Sequence, residues 1–138
     1  MLKPDQFKVN EAWIAIKIND KFLCLEDEFY DVYMLMDAAS TFVLGHLLSR
    51  VDDVTPQEED VKKIFKDAWG VKRQWPKKLI MPENSVAEDV FKAQAKNKGI
   101  KFIAVPLLDL SPIVEPLKQS FASFLHKVLQ EKASLVEH

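Results

Sequence analysis

Cysteine, glycine and histidine are scarce in this chain of 138 residues, with one, three and three copies respectively. A single cysteine, Cys24, forbids an intrachain disulfide and fits a reducing compartment, so a cytoplasmic location is expected. Cys24 lies in the apolar run Phe22-Leu23-Cys24-Leu25 and reads as a small buried hydrophobe. Metal centres rich in Cys and His are excluded by count, and His46 and His126 fall on patterns that read as structural. Three scattered glycines cannot build a phosphate-cradling loop. No run approaches the roughly 18 consecutive apolar residues that a membrane helix needs. The segment Met1–Asn10 is polar and has no apolar core for a signal peptide.

Net charge is also small, at -2. That value is a cancellation. Residues 1–59 carry 5 basic against 12 acidic side chains, whereas residues 60–101 carry 11 against 5. The basic middle offers a face for phosphate or for an acidic partner, with Lys72, Arg73, Lys77, Lys78, Lys96 and Lys98 as its candidate nucleic-acid contacts. The alternative is a solvated helix surface paired with the acidic N-terminal third. Aromatics in this stretch, Phe65, Trp69, Trp75 and Phe91, fall mostly at core-like spacings, which supports a stacking platform only weakly.

The apolar periodicity predicts an order of elements. Ala12–Ile18 is apolar at nearly every position, as in a strand buried on both faces. A polar turn, Asn19-Asp20-Lys21, and the short run Phe22–Leu25 follow. Tyr30–Ala39 and Phe42–Ser49 read as two more strands joined tightly at Ser40-Thr41, giving an antiparallel meander. A helix is predicted from Pro56 to Gly70, capped by Thr55, with Val61, Ile64, Phe65 and Trp69 as its stripe. Lys78–Met81 is a strand. Val86–Asn97 is a helix capped by Ser85, with Val86, Val90 and Ala93 facing inward and Phe91 beside them; Gly99 stops it. Ile100–Pro106 is a fifth strand. The last helix is expected to start near Ser111-Pro112 or Glu115-Pro116, with Leu117, Phe121, Phe124, Leu125, Val128 and Leu129 as its stripe. The expected domain is a single α/β unit over residues 1–138, with its core at about 11–130. It holds a five-stranded mixed sheet, three antiparallel strands and then alternating helices and strands, flanked by helices.

Four stretches carry a resemblance. Trp13-Ile14-Ala15-Ile16, the segment Tyr33 to Gly45, Pro76 to Ser85 with Glu83-Asn84-Ser85, and Gly99 to Pro106 continuing to Pro112-Ile113-Val114-Glu115 together resemble, in that order, the catalytic core of retroviral-type integrases and related transposases. The resemblance implies a ribonuclease H-like fold. It also implies a site in which three carboxylates hold two divalent metal ions for phosphodiester chemistry. The first acid position, three residues after the tryptophan, falls on Ile16. The second falls on Glu83 and the third on Glu115. Asp20, four residues past Ile16, lies roughly 13 Å away at strand rise, too far to replace it. Asp37 matches a position where the family often has an acid that is not a ligand; its bland reading is a hydrogen-bonded turn acid. Glu115 reads otherwise as a first-turn helix residue favoured by the dipole.

Three functions stay open. One is a catalytically inactive core-like domain kept as a binding or assembly module for an unknown protein partner or for itself; a homodimer is what the resemblance implies. The second is a metal-dependent nuclease or strand-transfer enzyme with a rearranged set of Asp37, Glu83 and Glu115 holding Mg²⁺ or Mn²⁺. The third is a non-catalytic nucleic-acid-binding module using the basic segment 60–101. The apolar Ile16 favours the first, for which no cofactor and no membrane contact are expected.

Overall fold

The computed structural model describes residues 1–19 and 23–136, with side chains described through residue 123. Its strands are β1 (Ala12–Lys17), β2 (Leu23–Leu25), β3 (Glu28–Asp37), β4 (Val43–Arg50), β5 (Lys78–Pro82) and β6 (Lys101–Val105). Its helices are α1 (Glu58–Lys72), α2 (Glu88–Asn97) and α3 (Leu107–Val136). Across the sheet the order is β4-β3-β1-β5-β6, with β2 pairing the same edge of β3 as β1. β3 runs antiparallel to β1, β2 and β4, while β5 runs parallel to β1 and to β6. The expected mixed sheet is present with a sixth strand, because the short run at Leu23–Leu25 pairs with Glu28–Tyr30.

Alternation along β1 explains its apolar run. Trp13 and Ala15 join the core under α1 and α2, whereas Ala12, Ile14 and Ile16 join the core under α3. All five are at most 2 % exposed. Past the end of β1, the Asn19 side chain takes over sheet pairing. Its Oδ1 accepts from the Val32 N–H at 2.8 Å and its Nδ2 donates to the Tyr30 carbonyl at 3.2 Å. Asn19 is therefore a buried residue inside what reads as a polar turn. Cys24 is exposed, contrary to its apolar surroundings, because Leu23 takes the inward side of a two-faced strand.

The helices depart from expectation at their ends. α1 starts at Glu58 with Gln57 as cap, and Thr55 donates instead to the Pro56 carbonyl. Glu58, Glu59 and Asp60 still meet the positive end of the helix. Gly70 does not end α1. Arg73 does, at φ 56°, with its N–H on the Trp69 carbonyl at 2.7 Å. Trp69 is half-buried, and Ala68 completes the inward stripe of Val61, Ile64 and Phe65. α2 begins at Glu88. Ser85 starts a turn, with its Oγ accepting from the Ala87 N–H, so the inward face shifts to Ala87, Phe91, Gln94 and Ala95 while Val86 and Ala93 lie outside. Gly99, at φ 70°, stops that helix as expected. α3 starts at Leu107, so both prolines lie inside it. Each proline withholds a helical hydrogen bond. The stripe Leu110, Ile113, Val114, continued by Leu117 and Phe121, offsets that loss by burial against β1 and β3. The later expected stripe positions Phe124, Leu125, Val128 and Leu129 lie outside the residues whose side chains are described.

One glycine is required by packing. A Cβ on Gly45 would meet Ile64 Cγ1 at 3.0 Å, so its absence lets α1 lie close on β4. Opposite, Tyr33 is 2 % exposed beneath α1 and α2, with its ring 6.2 Å from that of Phe91. Burial first, and the Asp31 carboxylate second, push its phenol from the ordinary 10.0 up to about 12. The unfolded phenol ionises first, so this contribution to stability is complete below about pH 10 and is lost as pH rises through the folded value. Urea unfolding as a function of pH should therefore show stability falling across that alkaline window, and Tyr33→Phe should flatten the fall.

Candidate functional site

The resemblance fixes three positions, and the sheet decides where they lie. Ile16 sits near the C-terminal end of β1. Continuing the β1/β5 register, in which Ile14 faces Ile80, brings Glu83 level with Lys17. Glu83 follows β5 directly, is exposed, and its N–H donates to the Val105 carbonyl at 2.8 Å. Asn84 turns the chain at φ 62°. Positions 16 and 83 thus share one end of the sheet on adjacent parallel strands.

Ile16 is 2 % exposed and belongs to the apolar cluster that Leu110, Ile113 and Val114 of α3 complete. Its side chain carries no oxygen, and the buried cluster it belongs to is hydrophobic. Glu115 is exposed on α3. It is the ninth residue of that helix, not a first-turn residue; Asp109 holds the first-turn position. The dipole account of Glu115 therefore fails, because the dipole acts within about one turn.

Asp37 lies at the other end of the sheet. It pairs with Trp13 at the start of β1. From Trp13 to the level of Glu83 is four residues, ~13 Å along the strands, and β3 and β5 lie on opposite sides of β1, ~10 Å apart. Carboxylates that share a metal pair ~4 Å apart cannot be separated so far. Asp37, Glu83 and Glu115 do not converge. Among the described residues no group of three or more His, Cys, Asp or Glu side chains could hold a metal ion. Asp20 lies outside the described residues. Divalent metal of the kind the fold implies does not fit these residues, since its first oxygen ligand is replaced by hydrocarbon.

What Asp37 does is visible in its contacts. It is fully buried. Oδ1 accepts from the Asn10 N–H at 2.7 Å; Oδ2 accepts from the Ser40 N–H at 2.9 Å and the Ser40 hydroxyl at 2.6 Å. Asn10 Oδ1 in turn accepts from the Trp13 indole at 2.7 Å. The carboxylate ties the start of β1 to the β3–β4 turn, as a hydrogen-bonded turn acid does.

The basic candidates stand on several elements, at the ends of α1 and α2 and at the start of β5. Arg73 caps α1, and the Lys77 and Lys78 N–H groups both donate to the Glu11 carbonyl between β1 and β5. Lys72 and Lys78 are half-buried, while Arg73, Lys77, Lys96 and Lys98 are exposed. Lys98 alone of the six lines a groove, of about 370 Å³, between α1 and α2. Lys62, Lys66 and Trp69 of α1 line it at i, i+4, i+7, and Gln94 and Asn97 of α2 complete the opposite wall. Trp75 forms its floor, with ring centroids 5.0 Å from Trp69 and Lys98 Nζ 5.5 Å above its own ring. Sequence reasoning missed this grouping. The signal was a helical stripe of two lysines and a tryptophan, hidden because charge was summed along the chain and not around the helix.

Two substitutions test these placements. Asp37→Ala should cost roughly 1–3 kcal/mol in urea unfolding, because the buried Asn10 N–H and the part-buried Ser40 N–H lose their acceptor. Ile16→Asp should cost at least about 3 kcal/mol, because its carboxylate would sit unpaired among aliphatic side chains.

No protein-family model and no curated protein sequence matches the chain. By structure it is similar to the HTLV-2 integrase catalytic core domain in complex with magnesium. Against the trimeric form the identity is 15 %, the TM-score 0.59, and the match covers 88 % of this chain and 73 % of that one. Against the dimeric form the identity is 14 %, the TM-score 0.59, and the match covers 89 % and 74 %. A likeness at this identity speaks to architecture, and with the β4-β3-β1-β5-β6 sheet between α1–α2 and α3 it gives the chain the ribonuclease H-like fold of retroviral integrase catalytic cores.

Proposed function

We propose that this chain is an integrase-core-like domain without phosphodiester chemistry, working as a binding or assembly module. The observation that carries the reading is Ile16, buried at the position where the fold's chemistry needs its first carboxylate. Two further placements support it. Asp37, the nearest substitute in the chain pattern, is committed to Asn10 and Ser40 at the far end of the sheet. Glu83 and Glu115 remain as two exposed acids without a third. Two-metal catalysis needs bridging carboxylates to offset the cations and to place them on both sides of the scissile phosphate. Two acids on separate elements supply neither requirement, and no catalytic step is assigned to them. The HTLV-2 cores occur in trimeric and dimeric forms, so self-association through a helix face is the assembly expected first.

The test is direct. Purified protein with millimolar Mg²⁺ or Mn²⁺ should leave single-stranded and duplex DNA and RNA intact, and calorimetry should register no binding of either ion. Metal-dependent cleavage that disappears in Glu115→Gln would overturn the reading.

A further inference from the structure

We propose that the groove between α1 and α2 binds a nucleotide, its base stacked on Trp69 and its phosphate held by Lys66 and Lys98. This names a ligand for the binding module and rests on that reading only for its biological role. The groove lies on the α1–α2 side of the sheet, whereas Ile16 and Glu115 belong to the α3 side.

Four observations converge. The floor is aromatic and fixed: Trp75 packs edge-on to Trp13 at 6.0 Å and beside Phe65 at 6.3 Å, and Trp69 leans on it at an interplanar angle of 33°. The rim is cationic. Lys62 is drawn to Glu58 and Glu59 at 3.3 and 3.6 Å, but Lys66 and Lys98 make no ion pair among the described residues, and no acid lines the groove. Gln94 is largely buried, at 3 % exposure, and contributes its side chain to the groove wall. A primary amide presents both a donor and an acceptor to the edge of a ligand. Lastly, the lining contains indoles, amides and ammonium groups and no aliphatic side chain.

That last point separates ligand classes. An amphipathic peptide anchors itself through aliphatic sockets, which are absent. A base needs a flat π-face, an amide for its edge and a cation for its phosphate, and all three are present. Duplex DNA keeps its π-faces stacked internally and cannot use the floor. The nucleotide can be free or an unpaired residue of a single strand; the chemistry is shared.

Tryptophan fluorescence titrations at low salt, without divalent metal, separate the two. The probes are oligothymidylate, thymidine monophosphate, a hairpin duplex and an acidic tyrosine-containing peptide. Oligothymidylate should quench the fluorescence. Trp69→Ala should weaken its binding at least about fivefold. The exposed substitution Lys66→Glu, which does not threaten the core, should weaken it and reduce the slope of log affinity against log salt by about 0.7. Lys8→Glu, outside the groove, should change nothing. The same variant pattern with the monophosphate assigns a free nucleotide, and binding of the oligomer alone assigns a strand. Absence of binding by both, duplex binding that ignores Trp69→Ala, or preference for the acidic peptide overturns the proposal. Cleavage in the metal assay would sink the non-catalytic reading and leave this result standing.

Discussion

Burial of β1 on both faces sets the terms for everything else in the molecule. The strand hydrogen-bonds β3 on one side and β5 on the other, and its side chains divide between the two helical layers. A strand held on all four sides has no freedom of register, since a slip of one residue would exchange Trp13 and Ala15 with Ile14 and Ile16. The register is pinned at its start as well. The Trp13 indole reaches Asn10, the Asn10 N–H reaches Asp37, and the Ala38 N–H reaches the Ala12 carbonyl. With β1 fixed in this way, the antiparallel turn carries Asp37 to one end of the sheet and the parallel crossover carries Glu83 to the other.

The energetics at position 16 follow from the same confinement. A fully buried isoleucine contributes about 1.5–3 kcal/mol relative to an exposed one. An unpaired carboxylate in its place would reverse the sign of that contribution. A catalytic acid on this strand would require an open, hydrated sheet end and a cation to balance it. Here Leu110, Ile113 and Val114 close that region, and the helix that brings them starts directly after Pro106 in spite of its two internal prolines. The first turns of α3 and the apolar residue at 16 therefore stabilise one another within a single cluster.

Much of the architecture was legible because it depends on periodicity. The continuous apolar run at 12–16, the two strands joined tightly at Ser40-Thr41, the acidic start of α1 and the positive-φ stop at Gly99 all read correctly. Errors came where a local preference competed with a tertiary demand. Gly70 looked like a stop, yet the helix runs on until Arg73 takes the left-handed conformation. Pro112 and Pro116 looked like boundaries, yet the buried stripe from Leu110 carries the helix across both. Val86 looked like core, but the turn at Ser85 delays the helix and rotates the inward face to Ala87 and Phe91. The separation of Asp37 from Glu83 was not legible, because it depends on which strands are parallel.

The α1–α2 groove gathers polar and cationic side chains over an aromatic floor. Its tryptophans do not project loosely from a helix. Trp75 is wedged between Trp13 and Phe65, so the floor inherits the rigidity of the same core that fixes β1. Rigid aromatic floors lose little conformational entropy when a ligand stacks on them. The lysines, by contrast, stand on long flexible stems at the rim, where they steer and hold an anion without needing one fixed geometry. Gln94 occupies the one position between these regimes, buried with the core and polar toward the groove. Its amide offers a donor and an acceptor at the groove wall, the pairing that the edge of a base requires.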